Sequence, residues 1–166
     1  EDNATLHVLA GFMRNGFLHI AIREQGGAYG GGAGKDANSA SFRFFSYRDP
    51  RLTETLDDFD RAVDWVISGS HTPRQLEEAI LGVIAAMDKP SSPAGEAKQA
   101  FYNRLFGRTL AHRMNFRMAV LGTTIADLKT TAARYFDPST ASIGVISNRE
   151  TIDAAALDEI EVINLL

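Results

Sequence analysis

A glycine-rich stretch near the start of the chain constrains the fold more than any other feature. Residues 23–33, REQGGAYGGGA, carry five glycines around Tyr29. Because glycine is unfavourable inside a helix, this stretch must end the helical pattern before it, and we predict a loop here. The preceding pattern predicts one helix over residues 5–24, in which Gly11 and Gly16 indicate close packing against another element. Its inner face is predicted from apolar residues three or four positions apart: Leu6, Leu9, Met13, Phe17 and Ile20.

Helical patterns dominate the remainder of the chain. Residues 41–47, SFRFFSY, alternate with the period of a strand, which we predict to be partly covered on both faces. Short apolar runs predict late strands at residues 142–147 and 161–164. Strand and helix do not alternate regularly, so we predict an α+β fold, with helices packed on a mostly antiparallel sheet, in a single domain over residues 1–166. Apolar stripes and capping residues predict five further helices, at about residues 52–69, 72–87, 94–106, 110–121 and 124–136.

Composition excludes several classes of partner. The 21 acidic and 17 basic residues give a net charge of −4 without a basic cluster, so we predict no nucleic-acid partner. Apolar runs such as residues 79–87 are far shorter than the ~18 residues of a spanning helix, and we predict no membrane partner. The chain has no cysteine, which excludes disulfides, thiolate zinc sites and a cysteine nucleophile. We expect a cytoplasmic location, with an organelle matrix as the alternative.

The glycines do not fit a phosphate-binding loop. Gly34-Lys35 is followed by Asp36, and the position five before Gly34 is Tyr29, so the nucleotide-binding pattern is absent. Glycines also allow a second chain to lie close along a backbone, as when a peptide joins a strand edge. In that case Tyr29 can donate to a developing oxyanion and Arg23 can hold a carbonyl or carboxylate. The alternative is a tight turn with a tyrosine packed on the core and a solvated arginine.

Metal and nucleophile motifs are absent from the sequence. Neither H-E-x-x-H nor H-x-x-E-H occurs, and we expect the histidines to be half-buried or surface side chains. There is no G-x-S-x-G, although a serine triad assembled in space stays open. Four aspartates within residues 57–64 favour a solvated helix face over an acidic metal site. The histidines are His7, His19, His71 and His112, and the aspartates are Asp57, Asp58, Asp60 and Asp64.

Three segments in order resemble a known family. REQGGAYGGGA, SFRFFSYRDPRL and LEEAILGVIAAMDKPSSPAGEA are similar to the C-terminal part of the inverzincin zinc peptidases of the pitrilysin and insulin-degrading-enzyme group, most closely the presequence-protease branch. The resemblance covers nearly the whole chain. It implies four related α+β domains in two halves that close around an unstructured peptide in a chamber, and this chain would be the last domain.

The resemblance also implies roles for individual residues. In this family the N-terminal half binds zinc through H-x-x-E-H, and the C-terminal half contributes an arginine and a tyrosine, here Arg23 and Tyr29. Tyr29 would donate to the oxyanion and Arg23 would position the substrate. The substrate-binding backbone that presents them would comprise Gly26, Gly27, Gly30, Gly31 and Gly32.

The sequence departs from the family in one respect, because it has no H-x-x-E-H. We therefore predict no metal site in this chain and no activity from it alone, with zinc held by an N-terminal half in the same polypeptide or in a partner subunit. The absence of a methionine before Glu1 favours a domain cut from a longer polypeptide. The alternative function is that of a non-catalytic assembly or binding subunit of the same superfamily.

Overall fold

The computed structural model describes residues 2–36, 38–157 and 161–163, and over these ranges it confirms an α+β fold. Helices make up most of the described chain, beside one pair of antiparallel strands. The elements in chain order are α1 (Asn3–Met13), a π-helix (Arg14–Gln25), β1 (Gly30–Asp36), β2 (Ser41–Tyr47), α2 (Thr53–Ser68), α3 (Pro73–Asp88), α4 (Pro93–Leu105), α5 (Leu110–Leu121), α6 (Ile125–Tyr135), a 3₁₀ turn (Pro138–Thr140) and α7 (Arg149–Ala155).

The first helix extends as predicted but changes its winding at Arg14. From there to Gln25 the backbone is a π-helix, whose hydrogen bonds join residues five apart. The wider turns shift the inward face, so Leu18 and Ile22 are buried while Ile20 is 44% exposed. The predicted burial of Ile20 is therefore wrong, because it assumed 3.6 residues per turn throughout. The predicted close packing is confirmed at Gly16, where any added Cβ would overlap the indole ring of Trp65.

The glycine-rich stretch differs from the predicted loop. Only its first part, up to Tyr29, connects helix to sheet, whereas Gly30–Asp36 forms β1 and pairs antiparallel with β2. The register sets Gly30 opposite Tyr47 and Asp36 opposite Ser41. Glycine has a low strand propensity, but cross-strand pairing overrides it here.

β2 occupies the predicted residues, but one of its faces is open. Phe42 and Phe44 pack on the core, and their rings lie 4.5 Å from Phe136 and 5.4 Å from Phe59 respectively, between centroids. Phe45 and Tyr47 on the opposite face are exposed. The prediction that both faces are partly covered is therefore wrong.

The hydrophobic core is centred on α1. This helix contacts β1, α2, α3, α5 and α6, which surround it on several sides. Apolar burial of this kind supplies the main favourable term in folding. The buried side chains include Val8, Leu9, Phe12, Met13, Ile22, Val66, Ala79, Val120 and Leu128.

The helices after β2 confirm the sequence prediction closely. α3 begins at a complete capping box, in which Thr72 Oγ1 accepts from the Gln75 backbone N–H at 3.3 Å and Gln75 Oε1 accepts from the Thr72 N–H at 2.8 Å. Thr124 and Asp127 form the same device at the start of α6. Within the described ranges, no helix combines the length and apolarity needed to cross a membrane.

The two predicted late strands do not occur in the part of the chain that the structure describes. Residues 141–148 form neither helix nor strand, and Ile143 and Ile146 are exposed. The prediction at 142–147 is wrong because a strand needs a paired neighbour, which this segment lacks among the described residues. Residues 161–163 are also irregular, and position 164 lies outside the described residues. The short helix α7, which the sequence pattern did not predict, lies between these two segments.

Candidate active site

Arg23 lies in the last turn of the π-helix with its side chain exposed. Its Nη1 is 3.5 Å from His19 Nε2, four residues earlier. The other ring nitrogen of His19, Nδ1, lies 3.2 Å from Glu24 Oε1. His19 thus bridges the arginine and a carboxylate on the same helix surface.

Tyr29 lies directly before β1 and is 62% exposed. Its backbone N–H donates to the carbonyl oxygen of Arg48 at 3.2 Å. The Arg48 guanidinium lies 5.3 Å from the centre of the Tyr29 ring, within the range of a cation–π contact. Tyr47 meets the same ring edge-to-face at 5.5 Å. The alternative of a tyrosine packed on the core is therefore wrong. The Tyr29 ring is exposed and contacts Tyr47 and Arg48.

The connection between the two candidate residues depends on two glycines. Gly27 has φ +79°, a left-handed conformation that glycine adopts without steric cost. Gly26 is buried, and an added Cβ would overlap the Arg51 guanidinium. These positions allow the chain to turn sharply between Arg23 and Tyr29.

The glycines of β1 accommodate side chains of the same chain. A Cβ at Gly30 would overlap the Tyr47 ring, and one at Gly31 would lie 2.8 Å from Ile22 Cγ2. A Cβ at Gly32 would lie 2.9 Å from Arg14 Cγ. Close packing between the sheet and the π-helix therefore explains the glycines structurally. Their role in substrate binding stays a prediction.

We predict that Gly26→Ala destabilises the fold by about 1–3 kcal/mol, the usual cost of overpacking, because the Arg51 guanidinium and the Ile22 carbonyl oxygen both overlap the added methyl group. The matched control is Gly82→Ala. Gly82 is exposed within α3 and has nothing within 4 Å of an added Cβ, so alanine should stabilise by about 1 kcal/mol through helix propensity. Urea unfolding of both variants tests the difference. Equal effects would contradict the close packing at Gly26.

Asp58 is the one of the four aspartates whose surroundings differ from the predicted solvated helix face. Asp57, Asp60 and Asp64 are exposed as predicted, but Asp58 is buried in α2. Its carboxylate accepts from Arg51 Nη2 at 3.1 Å and from Arg61 Nη1 at 2.8 Å. The spacing of Asp58 and Arg61, three residues apart on a helix, was the available signal.

The remaining aspartates of α2 influence one another. Burial raises the pKa of the Asp60 carboxyl above its ordinary value, and the neighbouring charges of Asp57 and Asp64 raise it further. These like charges lie along one exposed helix face.

The described residues do not fit a zinc site. They contain no group of three or more histidine, cysteine, aspartate or glutamate side chains arranged to hold a metal ion. His7, His19 and His71 are half-buried and His112 is exposed, which confirms the expected settings of these side chains.

A cavity of about 750 Å³ lies away from the candidate residues. It opens between α1, α3, α4 and α5, and neither Arg23 nor Tyr29 lines it. An ion pair between Arg117 Nη1 and Asp88 Oδ1, 2.6 Å apart, lies at its edge and lowers the pKa of the Asp88 carboxyl. The cavity therefore does not contain the chemistry predicted for Arg23 and Tyr29. Its lining includes His7, Asp88, Arg108, His112, Arg113 and Phe116.

Comparison with known proteins connects this geometry to a family. Residues 2–146 match the family model described as PreP C-terminal domain. The chain is 44% identical over 117 residues to "Presequence protease, mitochondrial" of Mus musculus, which covers 63% of this chain. The protein of the same name from Xenopus tropicalis is 40% identical over 134 residues, 81% of this chain. That from Yarrowia lipolytica is 35% identical over 154 residues, 92% of this chain.

The matched region is a small part of each relative. It spans 11% of the mouse protein, 13% of the Xenopus protein and 15% of the Yarrowia protein. The relatives are peptidases by name, which agrees with the resemblance drawn from the glycine-rich stretch and the two segments after it. With nearly nine-tenths of its residues matched by one domain model, the chain belongs to the PreP C-terminal domain family.

Proposed function

We propose that this chain is the C-terminal half-site of a zinc metalloendopeptidase that degrades unstructured peptides in an enclosed chamber. In this proposal residues 1–166 form one domain, which supplies substrate-binding and oxyanion-stabilising groups but no metal ligand. Zinc is assigned to the N-terminal half, as the resemblance implies. Because the chain lacks H-x-x-E-H, we expect no hydrolysis from it alone. The mitochondrial names of the relatives favour the organelle matrix over the cytoplasm.

The observation that carries the proposal is the placement of Arg23 and Tyr29. Both side chains are exposed, and they lie at the two ends of one sharp turn. Contacts with the Arg48 carbonyl and the Arg51 guanidinium hold this turn in place. Preorganised donors of this kind stabilise charge that develops in a transition state. Tyr29 Oη would donate to the oxyanion of the scissile carbonyl, and the Arg23 guanidinium would hold a second carbonyl or a carboxylate of the peptide.

The glycines complete the proposed half-site. In this proposal the peptide lies along the chain that contains Gly26, Gly27, Gly30, Gly31 and Gly32. It reaches the free edge of this backbone, because side chains of Arg51, Tyr47, Ile22 and Arg14 already fill the space beside four of these glycines. A peptide in this position would form main-chain hydrogen bonds with the domain. Such bonds accept many sequences, because every peptide carries the same backbone groups. Such a surface suits an enzyme that degrades varied unstructured peptides.

Replacing the arginine tests the proposal. In the complete protease, Arg23→Ala should raise KM for a peptide substrate by about 10- to 100-fold, the value of a lost hydrogen bond to a charged group. The control is Arg74→Ala, since Arg74 is also exposed but lies on α3, where it pairs with Glu78. Steady-state kinetics with a fluorogenic peptide measures both. If Arg23→Ala behaves like Arg74→Ala, the arginine does not hold substrate.

A non-catalytic assembly role is the second candidate, and one surface favours it. Large apolar side chains are exposed along α4 and α5, which is typical of surfaces that contact another protein or domain. The two candidates differ in the polypeptide that accompanies this domain, because only a peptidase requires H-x-x-E-H there. The exposed side chains are Phe101, Leu105, Phe106, Leu110, Met114 and Met118.

A further inference from the structure

The turn that carries Arg23 and Tyr29 is held by the segment directly after β2. Arg51 Nη2 donates to the Ala21 carbonyl oxygen at 3.2 Å, and its guanidinium packs against the Gly26 backbone. At the other end of the turn, the Arg48 carbonyl accepts from the Tyr29 N–H at 3.2 Å. The segment 48–51 therefore contacts the turn on both sides of its sharpest point.

This segment is itself strained and needs support. Arg48 has φ +48°, a left-handed conformation that costs a non-glycine residue free energy and persists only where the surroundings impose it. Asp49 supplies part of the support, since Oδ1 accepts from the Arg51 N–H at 3.0 Å and Oδ2 from Thr55 Oγ1 at 2.7 Å. The segment is thereby tied to the first turn of α2.

The stronger support is the buried carboxylate of Asp58. It lies one turn further along α2 and accepts from Arg51 Nη2 at 3.1 Å, the same nitrogen that reaches Ala21. Arg61 Nη1 donates to the second oxygen at 2.8 Å. A buried carboxylate that is paired in this way fixes its partners, because any movement leaves a charge uncompensated.

We propose that Asp58 is a positioning residue for the peptidase half-site. Through Arg51 it fixes the turn from Ala21 to Tyr29, and this sets where Arg23 and Tyr29 stand relative to the peptide. Asp58 itself touches no substrate. The inference rests on the proposed function, because positioning matters only if these side chains act on a peptide. It goes beyond that function by assigning a role to a buried charge that is not part of the proposed peptide-binding surface.

A double-mutant cycle in the complete protease tests this. The enzymes compared are wild type, Asp58→Asn, Tyr29→Phe and the double variant, with Asp57→Asn as the control for an exposed aspartate on the same helix. We expect Asp58→Asn to lower kcat by about 10²-fold, the scale of a 1 Å misplacement, and Asp57→Asn to leave it unchanged. Once Tyr29 has lost its hydroxyl, the position of its ring affects kcat less. The loss of kcat in the double variant should therefore be well below the product of the two single losses.

The outcomes separate the two ideas. Suppose that Tyr29→Phe lowers kcat and that the kcat loss of the double variant equals the product of the two single losses. Asp58 then acts independently of Tyr29 and the positioning role is wrong, while the half-site stands. If Tyr29→Phe leaves kcat unchanged, the proposed function fails and the positioning role fails with it. Thermal melting verifies that each variant is folded at the assay temperature. Should Asp58→Asn not fold, Arg51→Lys enters the same cycle, because lysine keeps the charge on a shorter side chain without the rigid planar fork of arginine.

Discussion

Tyr29→Phe in the complete protease should lower kcat by about 10²–10³, which corresponds to about 2.7–4 kcal/mol of lost transition-state stabilisation. The substitution removes one hydroxyl and keeps the ring, so the contacts with Tyr47 and Arg48 remain. Because the oxyanion exists only during reaction, KM should change much less than kcat. Single-turnover kinetics with an internally quenched peptide separates binding from the chemical step.

The matched control is Tyr47→Phe, which removes a hydroxyl from the neighbouring ring. Tyr47 is half exposed and packs edge-to-face on Tyr29, so its ring supports Tyr29 whether or not it carries the oxygen. We expect this variant to retain nearly full kcat. Equal losses in the two variants would assign the effect to the aromatic pair as a whole, and an unchanged kcat for Tyr29→Phe would remove the tyrosine from the mechanism.

The second large effect concerns stability. Phe12→Ala should lower the free energy of unfolding of this chain by about 3–5 kcal/mol, because the ring is 2% exposed and its loss leaves a cavity at the centre of the core. The Phe12 ring lies 5.1 Å from that of Trp65 and 5.0 Å from that of His71. Urea unfolding followed by the fluorescence of the single tryptophan, Trp65, measures the change.

An exposed phenylalanine provides the comparison. Phe101 on α4 is 65% exposed, so Phe101→Ala should change the stability of this chain by no more than about 0.5 kcal/mol. A small effect of Phe12→Ala would mean that the region around Trp65 can collapse onto the vacated space. The close approach of Trp65 to Gly16 would then have to be looser than the structure indicates.

Features governed by neighbouring residues were predictable from the sequence. The capping box at Thr72 needs only a threonine and a glutamine three residues later. Pro73 occupies the first helical position between them, and α3 begins where these residues predict. The strand Ser41–Tyr47 was predicted to the residue from its alternation. The candidate pair Arg23 and Tyr29 was also proposed from sequence, through a resemblance carried by the residues around it, and its catalytic role stays a prediction.

Features governed by distant residues were not predictable. Gly30–Asp36 becomes a strand because β2 pairs with it, although its composition is typical of a loop. Leu18 replaces Ile20 on the inner face because packing selects a wider helical winding. Asp58 looked like one of four solvated aspartates, and only the fold shows that Arg51 reaches it from outside the helix.

The π-helix makes the length of the first helix as important as its side chains. In an α-helix each residue advances by about 100° around the axis, whereas hydrogen bonds to the fifth residue require a smaller advance. A deletion of one residue between Arg14 and Ile22 would favour ordinary winding and rotate Arg23 away from its present direction. Chains with identical residues at Arg23 and Tyr29 would then differ in where the guanidinium points. For relatives of this domain, an alignment gap within the first helix is therefore as informative about the half-site as a substitution in it.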